Sequence, residues 1–155
     1  MSTLYDVYIG LGANLGARRK AIRRALDAVG DLPDTRLVDV SDLYETRARF
    51  VEDQPDFINA CAHLQTSLTP EQLLDQLLLI EKDMGRVRGV RRGPRVIDLD
   101  ILFYGDRVID KQGLTVPHPD LQNRDFVLRP LFDIAPRWVH PVLDKTVRHM
   151  WEQLH

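Results

Sequence analysis

Between Gly85 and Phe103 the chain concentrates residue types that handle phosphate and metal. Five arginines, Arg86, Arg88, Arg91, Arg92 and Arg95, fall within ten positions on a segment punctuated by Gly85, Gly89, Gly93 and Pro94. Directly behind them an apolar run carries Asp98 and Asp100. On an extended strand, side chains two apart point to the same side, so both carboxylates project together at roughly 7 Å along the backbone. Hard carboxylate oxygens hold Mg²⁺, whose other ligands are waters and phosphates, and arginine forks match phosphate oxygens. The combination points to phosphoryl transfer from ATP.

Each half alone has a plainer explanation. Arginine runs often form a solvated surface or a nucleic-acid patch, and an Asp-x-Asp pair is often the wet face of a strand. The pattern of the strand argues against this. Ile97, Leu99, Ile101 and Phe103 are expected on one apolar face, while the opposite face reads Val96, Asp98, Asp100, Leu102. Acids bracketed by apolar residues are costly to cover unless something cationic meets them.

The elements that must position these groups read as follows. Tyr5 to Leu11 is a strand, and Gly10-Leu-Gly-Ala-Asn-Leu-Gly16 is expected to be a tight strand-to-helix turn. A dinucleotide loop is a poor match there, because the third glycine comes one place late for Gly-x-Gly-x-x-Gly. A helix runs to about Val29 with Ile22, Ala25, Leu26 and Val29 inward and Arg18, Arg19, Lys20, Arg23 and Arg24 outward. Thr35 to Thr46 suggests a second strand and Phe57 to Thr66 a third, after the loop Arg47 to Asp56. On the third strand Ile58, Ala60, Ala62 and Leu64 form the core face; Phe57, Asn59, Cys61 and His63 share the other. An asparagine beside an aromatic is a good reader of a planar heterocycle, since its amide both donates and accepts.

Thr69-Pro70-Glu71-Gln72 announces a second helix, with Thr69 as cap, Pro70 in the first position and Gln72 closing a capping box. Leu73, Leu74, Leu77, Leu78 and Met84 make its expected stripe, and Glu81 falls on its polar side near Arg86. After the strand Ile97–Phe103 come a Pro-rich loop around Val116-Pro-His-Pro119, a short helix near Phe126–Ile134 and a final helix from about Asp144. The order β-α-β-β-α-β predicts an α+β, ferredoxin-like fold: an antiparallel sheet with both long helices on one face and additional C-terminal helices and strands. The first and third strands should be central, and the free face is available to a ligand unless later segments cover it.

The chain has 155 residues, which predicts one domain over 1–155 with one substantial core. A formal charge of −2 gives no general pull toward nucleic acid or membrane, which makes the local arginine cluster informative. The single cysteine, Cys61, excludes an internal disulfide and reads as a packing residue in a reducing cytoplasm. No stretch approaches the ~18 apolar residues of a membrane span. The five histidines, His118 between two prolines among them, show no metal-ligand spacing.

Taken together, these segments resemble the 6-hydroxymethyl-7,8-dihydropterin pyrophosphokinases of the folate pathway. The resemblance is carried by Gly10–Gly16, Asp53-Gln-Pro-Asp-Phe-Ile-Asn59, Ile80-Glu81, Gly85-Arg-Val-Arg88, Gly93-Pro-Arg-Val-Ile-Asp-Leu-Asp-Ile101, Val116-Pro-His-Pro119 and Arg124-Asp-Phe-Val-Leu128. It implies transfer of the terminal pyrophosphate of ATP to the pterin hydroxymethyl oxygen, releasing AMP. It further implies that Asp98 and Asp100 hold two Mg²⁺ ions and that Arg86 and Arg95 clamp the phosphates, supported by Arg88 and Arg91. Glu81, Thr115, His118 and Arg124 match positions that contact ATP. Phe57 and Phe126 match the aromatics that sandwich the pterin, Asn59 the amide that reads its edge, and Thr46 a further pterin contact. The sequence departs from the family pattern at Arg47-Ala-Arg-Phe50, where prolines and a glycine are common, and at Arg92, where an aromatic is common.

The partners expected on this reading are ATP and the pterin, with no nucleic acid, no membrane and a monomeric state. A nucleic-acid-binding ferredoxin-like module is the rival from another class; it lacks an aromatic RNA-binding signature and a basic charge. A metal-dependent nucleotidyl or phosphate-ester enzyme is the other.

Overall fold

The computed structural model describes residues 3–46, 56–85 and 96–155. Arg86, Arg88, Arg91, Arg92 and Arg95, and the Arg47–Phe50 stretch, lie outside the described residues.

The first strand, β1 (Tyr5–Ala13), alternates as a half-and-half strand should: Val7, Ile9, Leu11 and Ala13 enter the main core, while Tyr8 enters a second one. Helix α1 (Arg18–Gly30) buries Ile22, Ala25 and Val29 against it. The expected second strand divides into β2 (Thr35–Val40) and β3 (Tyr44–Thr46). Both pair with β4 (Phe57–Thr66), but Val40 faces Ala62 whereas Tyr44 faces Asn59, so this edge takes up one extra residue between them. Ser41 stabilises the break: its N–H donates to the Cys61 carbonyl and its hydroxyl accepts from the Cys61 N–H, both at 2.9 Å.

Helix α2 (Pro70–Asp83) starts as expected. Gln72 N–H donates to Thr69 Oγ1 at 3.1 Å and Thr69 N–H to Gln72 Oε1 at 2.9 Å, a reciprocal cap. Its buried stripe is Leu73, Leu77, Ile80 and Glu81, with Leu74 and Met84 partly buried beside it. Helical periodicity thus carries the stripe through an acid that composition had assigned to the solvated side.

Strand β5 (Asp98–Tyr104) completes a sheet ordered β2-β4-β1-β5, antiparallel throughout, with β3 continuing beside β4. As expected, the first strand and Phe57–Thr66 are central and both long helices pack on one face. A two-stranded ribbon follows, β6 (Ile109–Lys111) with β7 (Leu114–Val116). Helices α3 (Asp125–Ile134) and α4 (Val147–Leu154) then pack on the opposite face. Helix α4 starts later than the Asp144 expected for it, because Thr146 is the residue whose hydroxyl caps it, accepting from His149 N–H at 3.1 Å.

The apolar face expected for β5 holds only in part. Tyr8 faces Phe103 and Ile9 faces Ile101, which leaves Leu102 as an extra residue in the ladder. Ile97, Leu99 and Ile101 enter the helix-side core, but Leu102 and Phe103 both enter the second core, and Tyr104 returns to the first. A bulge of one residue reverses the alternation beyond it. Leu121, Leu128, Leu131, Val147 and Met150 cover this second core around Tyr8, Cys61, Leu102 and Phe103. The later segments therefore cover only part of the second face, and they leave the end bearing Phe57, Asn59, Asp98 and Asp100 outside that core.

Candidate active site

The rows of the sheet explain which side chains meet. Asn59 on β4, Gly12 on β1 and Asp98 on β5 lie in one row; Cys61, Gly10 and Asp100 lie in the next. The carboxylates and the asparagine thus flank a strand that contributes no side chain on these two rungs. Gly10 and Gly12 are strand residues, not the turn expected of them; the turn comes at Gly16, with φ +68°. Their value is the space they leave. A Cβ on Gly12 would stand 3.0 Å from Asn59 Oδ1 and 3.8 Å from the Phe57 ring, and one on Gly10 would stand 3.5 Å from the Leu102 side chain. Asn59 and Phe57 lean over Gly12, and Leu102 closes the inner end over Gly10.

The amide of Asn59 is oriented by its neighbour on β3: its Nδ2 donates to Thr46 Oγ1 at 2.6 Å. This bond uses one of two amide hydrogens, so another hydrogen and the oxygen retain capacity for a heterocycle edge. Tyr44, not foreseen as part of the site's support, faces Asn59 across the β3–β4 ladder. Its hydroxyl donates to Asp133 on α3, while the Arg129 guanidinium lies 5.1 Å from its ring centroid. Tyr44 therefore ties β3 to α3 from the side opposite the core.

Asp98 and Asp100 are half-buried, and the residue between them, Leu99, faces the helices. Glu81 is placed there too. Only 1% exposed, it accepts the Leu99 N–H on Oε2 at 2.8 Å. Since β5 is the edge of the sheet, Glu81 does for this amide what another strand would do. It stands behind the strand that carries the two acids and is buried, not solvated on the polar side of the helix.

His118 reaches the same region through the bulge. Its N–H donates to the Leu102 carbonyl at 3.0 Å, and its Nδ1–H faces the Pro119 carbonyl at 3.0 Å, leaving Nε2 as the acceptor of the neutral ring. Burial holds its pKa below the ordinary 6.5, and the charge of Arg124 adds to that; the Pro119 bond and Asp98 pull the other way. Arg124 precedes α3 and lies with its guanidinium 5.8 Å from the Phe126 ring centroid. His118 thus feels the charges of both Arg124 and Asp98, and Arg124 lies beside Phe126. Thr115 stands exposed on β7 opposite Asp110, in the two-stranded ribbon and not in the main sheet.

The remaining candidates are structural. Cys61 is buried and its thiol pKa is pushed far up by burial, which removes it as a nucleophile. His140 accepts the N–H groups of Val142 and Leu143 on Nδ1, each at 3.1 Å. Among the described residues no group of three or more His, Cys, Asp or Glu is poised around a metal position, and no helix is long and apolar enough to cross a membrane. Two carboxylates suffice for Mg²⁺ that takes its other ligands from phosphates and water, so the donor set fits that ion.

Residues 8–136 match the family model of 7,8-dihydro-6-hydroxymethylpterin-pyrophosphokinase (HPPK). The 2-amino-4-hydroxy-6-hydroxymethyldihydropteridine pyrophosphokinase of Pseudomonas aeruginosa is 52% identical over 130 residues, covering 84% of this chain and 80% of that protein. The protein of the same name from Haemophilus influenzae is 46% identical over 138 residues, covering 89% and 86%. The folic acid synthesis protein fol1 of Pneumocystis carinii is 46% identical over 148 residues, but the chain spans only 20% of its length. Among solved structures, Plasmodium falciparum HPPK-DHPS, wild type with pteroate, superposes with a TM-score of 0.79 at 16% identity, over 99% of this chain and 43% of that one. At that identity the likeness speaks for the fold alone. With the family model spanning most of its length and close relatives matching nearly end to end, the chain belongs to the 7,8-dihydro-6-hydroxymethylpterin-pyrophosphokinase family.

Proposed function

We propose that this pyrophosphokinase takes its pyrophosphate from ATP with Mg²⁺ and delivers it to 6-hydroxymethyl-7,8-dihydropterin, acting as a cytoplasmic monomer. The observation that supports the reading is the row Asn59–Gly12–Asp98, in which an asparagine amide and a carboxylate flank a rung that bears no side chain. A planar ring lying over Gly12 has Phe57 and Asn59 on one flank and the carboxylates on the other, which is where its hydroxymethyl arm must meet the phosphates. Phe126 supplies the second aromatic and Thr46 fixes the Asn59 amide.

In the reaction the hydroxymethyl oxygen forms a bond to the β-phosphorus and loses its proton to water, while the bond from that phosphorus to the bridging oxygen of AMP breaks and AMP leaves with its electron pair. Asp98 and Asp100 would hold Mg²⁺, and when bound that ion would supply charge neutralisation at the transferring and leaving groups and activation of the hydroxyl oxygen. The protein's part is chiefly placement: alignment of attacking oxygen, phosphorus and leaving oxygen is worth several powers of ten by itself. Arg124 and His118 are assigned to the nucleotide, the neutral Nε2 accepting a hydrogen bond, and Glu81 is assigned to holding β5. Arg86 and Arg95, with Arg88 and Arg91, are assigned to the phosphates on the family resemblance, as is Thr115 to ATP.

The test is a coupled assay for AMP with ATP, Mg²⁺ and hydroxymethyl-dihydropterin. AMP should form only when pterin and Mg²⁺ are both present. AMP released at the same rate without pterin would replace this reading with a nucleotide hydrolase.

A further inference from the structure

We propose that Arg18 is a positioning residue for the pterin side of the site, an inference that rests on the reading of Thr46, Phe57 and Asn59 given above. By composition Arg18 is one of five cationic residues on the outward face of α1. The structure sets it apart. Its Nη2 lies 3.1 Å from Glu45 Oε1, and its Nη1 donates to the Asp56 carbonyl at 2.5 Å. Glu45 is the middle residue of β3, and Asp56 immediately precedes β4.

One guanidinium therefore grips both strands near the last described pair of their ladder, Thr46 with Phe57. That end needs holding. Strand β3 is three residues long and, among the described residues, pairs with β4 alone, so its few ladder bonds can fray at little cost. Thr46 in turn fixes the Asn59 amide. The chain of contacts runs from the first turn of α1, through β3, to the amide and ring that lean over Gly12.

An exposed ion pair by itself contributes little. Arg18 differs in that its side chain is 28% exposed and its planar fork satisfies a carboxylate and a main-chain oxygen together. Its contacts are to Glu45 and the Asp56 carbonyl, so it acts through the strands it holds. Its effect should therefore appear in pterin affinity and not in nucleotide affinity, because Asp98 and Asp100 lie on β5, separated from β3 by β4 and β1.

The experiment is calorimetric titration with 6-hydroxymethylpterin, with Mg²⁺ and a non-hydrolysable ATP analogue already saturating, and separate titration of the analogue alone. Arg18→Ala should weaken pterin binding by about 2–5-fold, the range of a partly exposed charged contact, and leave the analogue's affinity unchanged. Arg18→Glu should weaken it further, and adding Glu45→Arg should recover part of that loss. Urea midpoints of the same variants identify general destabilisation, which would lower both affinities. Unaltered pterin affinity in Arg18→Ala, or an equal loss for both ligands, overturns the proposal. Wild-type protein that takes up no pterin at all would instead overturn the pterin reading, and this inference with it.

Discussion

Replacing Glu81 tests the idea that the metal-binding strand is held from behind. Glu81→Ala removes the acceptor of the Leu99 N–H and leaves that amide in a position with 1% exposure at the acid it lost. An orphaned buried donor costs about 1–3 kcal/mol, and the space of the missing methylene and carboxyl adds about 1. The sum, about 3 kcal/mol, corresponds to a fall of ~6–12 °C in Tm for a chain of this size. Glu81→Gln keeps an acceptor but exchanges a charged hydrogen bond for a neutral one, a difference of about 1 kcal/mol. Leu99 lies between Asp98 and Asp100, so slack in β5 also shifts both acids proposed to hold Mg²⁺. A displacement of ~1 Å costs about 10²-fold in rate. The assay is urea unfolding followed by turnover across a Mg²⁺ titration. Glu81→Ala should be less stable and need more Mg²⁺ at every residual rate, with Glu81→Gln between it and the parent. A Glu81→Ala protein as stable as the parent and with the same Mg²⁺ requirement would refute the reasoning.

Further outcomes follow from the same rows. Asp98→Ala and Asp100→Ala should each lower turnover by at least about 10²–10³-fold while circular dichroism stays native, because the acids place charge at the reacting centre and not in the core; normal turnover of either at saturating Mg²⁺ would contradict the assignment. Gly12→Ala should weaken pterin binding by about tenfold, since its Cβ meets Asn59 Oδ1 at 3.0 Å, whereas Gly10→Ala meets only the flexible Leu102 at an ordinary 3.5 Å and should bind nearly as the parent does; calorimetry ranks the two. His140, buried, has a pKa held below 6.5 by desolvation, and its Nδ1 already accepts two amide hydrogens. The unfolded chain therefore binds that proton more readily, so the stability it contributes is complete above about pH 6.5 and is lost as pH falls through the lower folded value. Urea midpoints taken from pH 7.5 to 5.5 should fall, and less steeply in His140→Asn; equal slopes would remove His140 from the account.

Local chemistry made much of this legible in the sequence. The cap at Thr69 and Gln72 and the two-residue alternation of Phe57–Thr66 act over a few residues, and both are in place. So is the pairing of Asp98 with Asp100 on one side of a strand, since i and i+2 share a face whatever the partner strand does. What stayed hidden depends on register between segments far apart. The extra residue at Leu102 cannot be read from an apolar run, because Leu, Phe and Tyr suit either face. The role of Gly10 and Gly12 emerges only when Asn59 and Asp98 are known to flank them. Glu81 looked solvated because an acid in a helix usually is; its burial follows from an amide on the sheet edge that needs an acceptor. Arg18 looked like its outward neighbours until the ends of β3 and β4 were brought to it.

The extra residue in β5 also bears on how this strand tolerates changes in length. Removing Leu102 would join Ile101 to Phe103 and restore plain alternation, with Ile101 and Tyr104 toward the helices and Phe103 toward α3 and α4. Every remaining residue would keep its side, and Asp98 and Asp100 would keep theirs opposite Gly12 and Gly10. A deletion in the middle of a strand would thus leave the pairing scheme intact. What would disappear is the carbonyl that receives the His118 N–H, together with the side chain resting over Gly10. The bulge is in that sense a mooring point, and the shortened chain should fold with its His118 loop adrift.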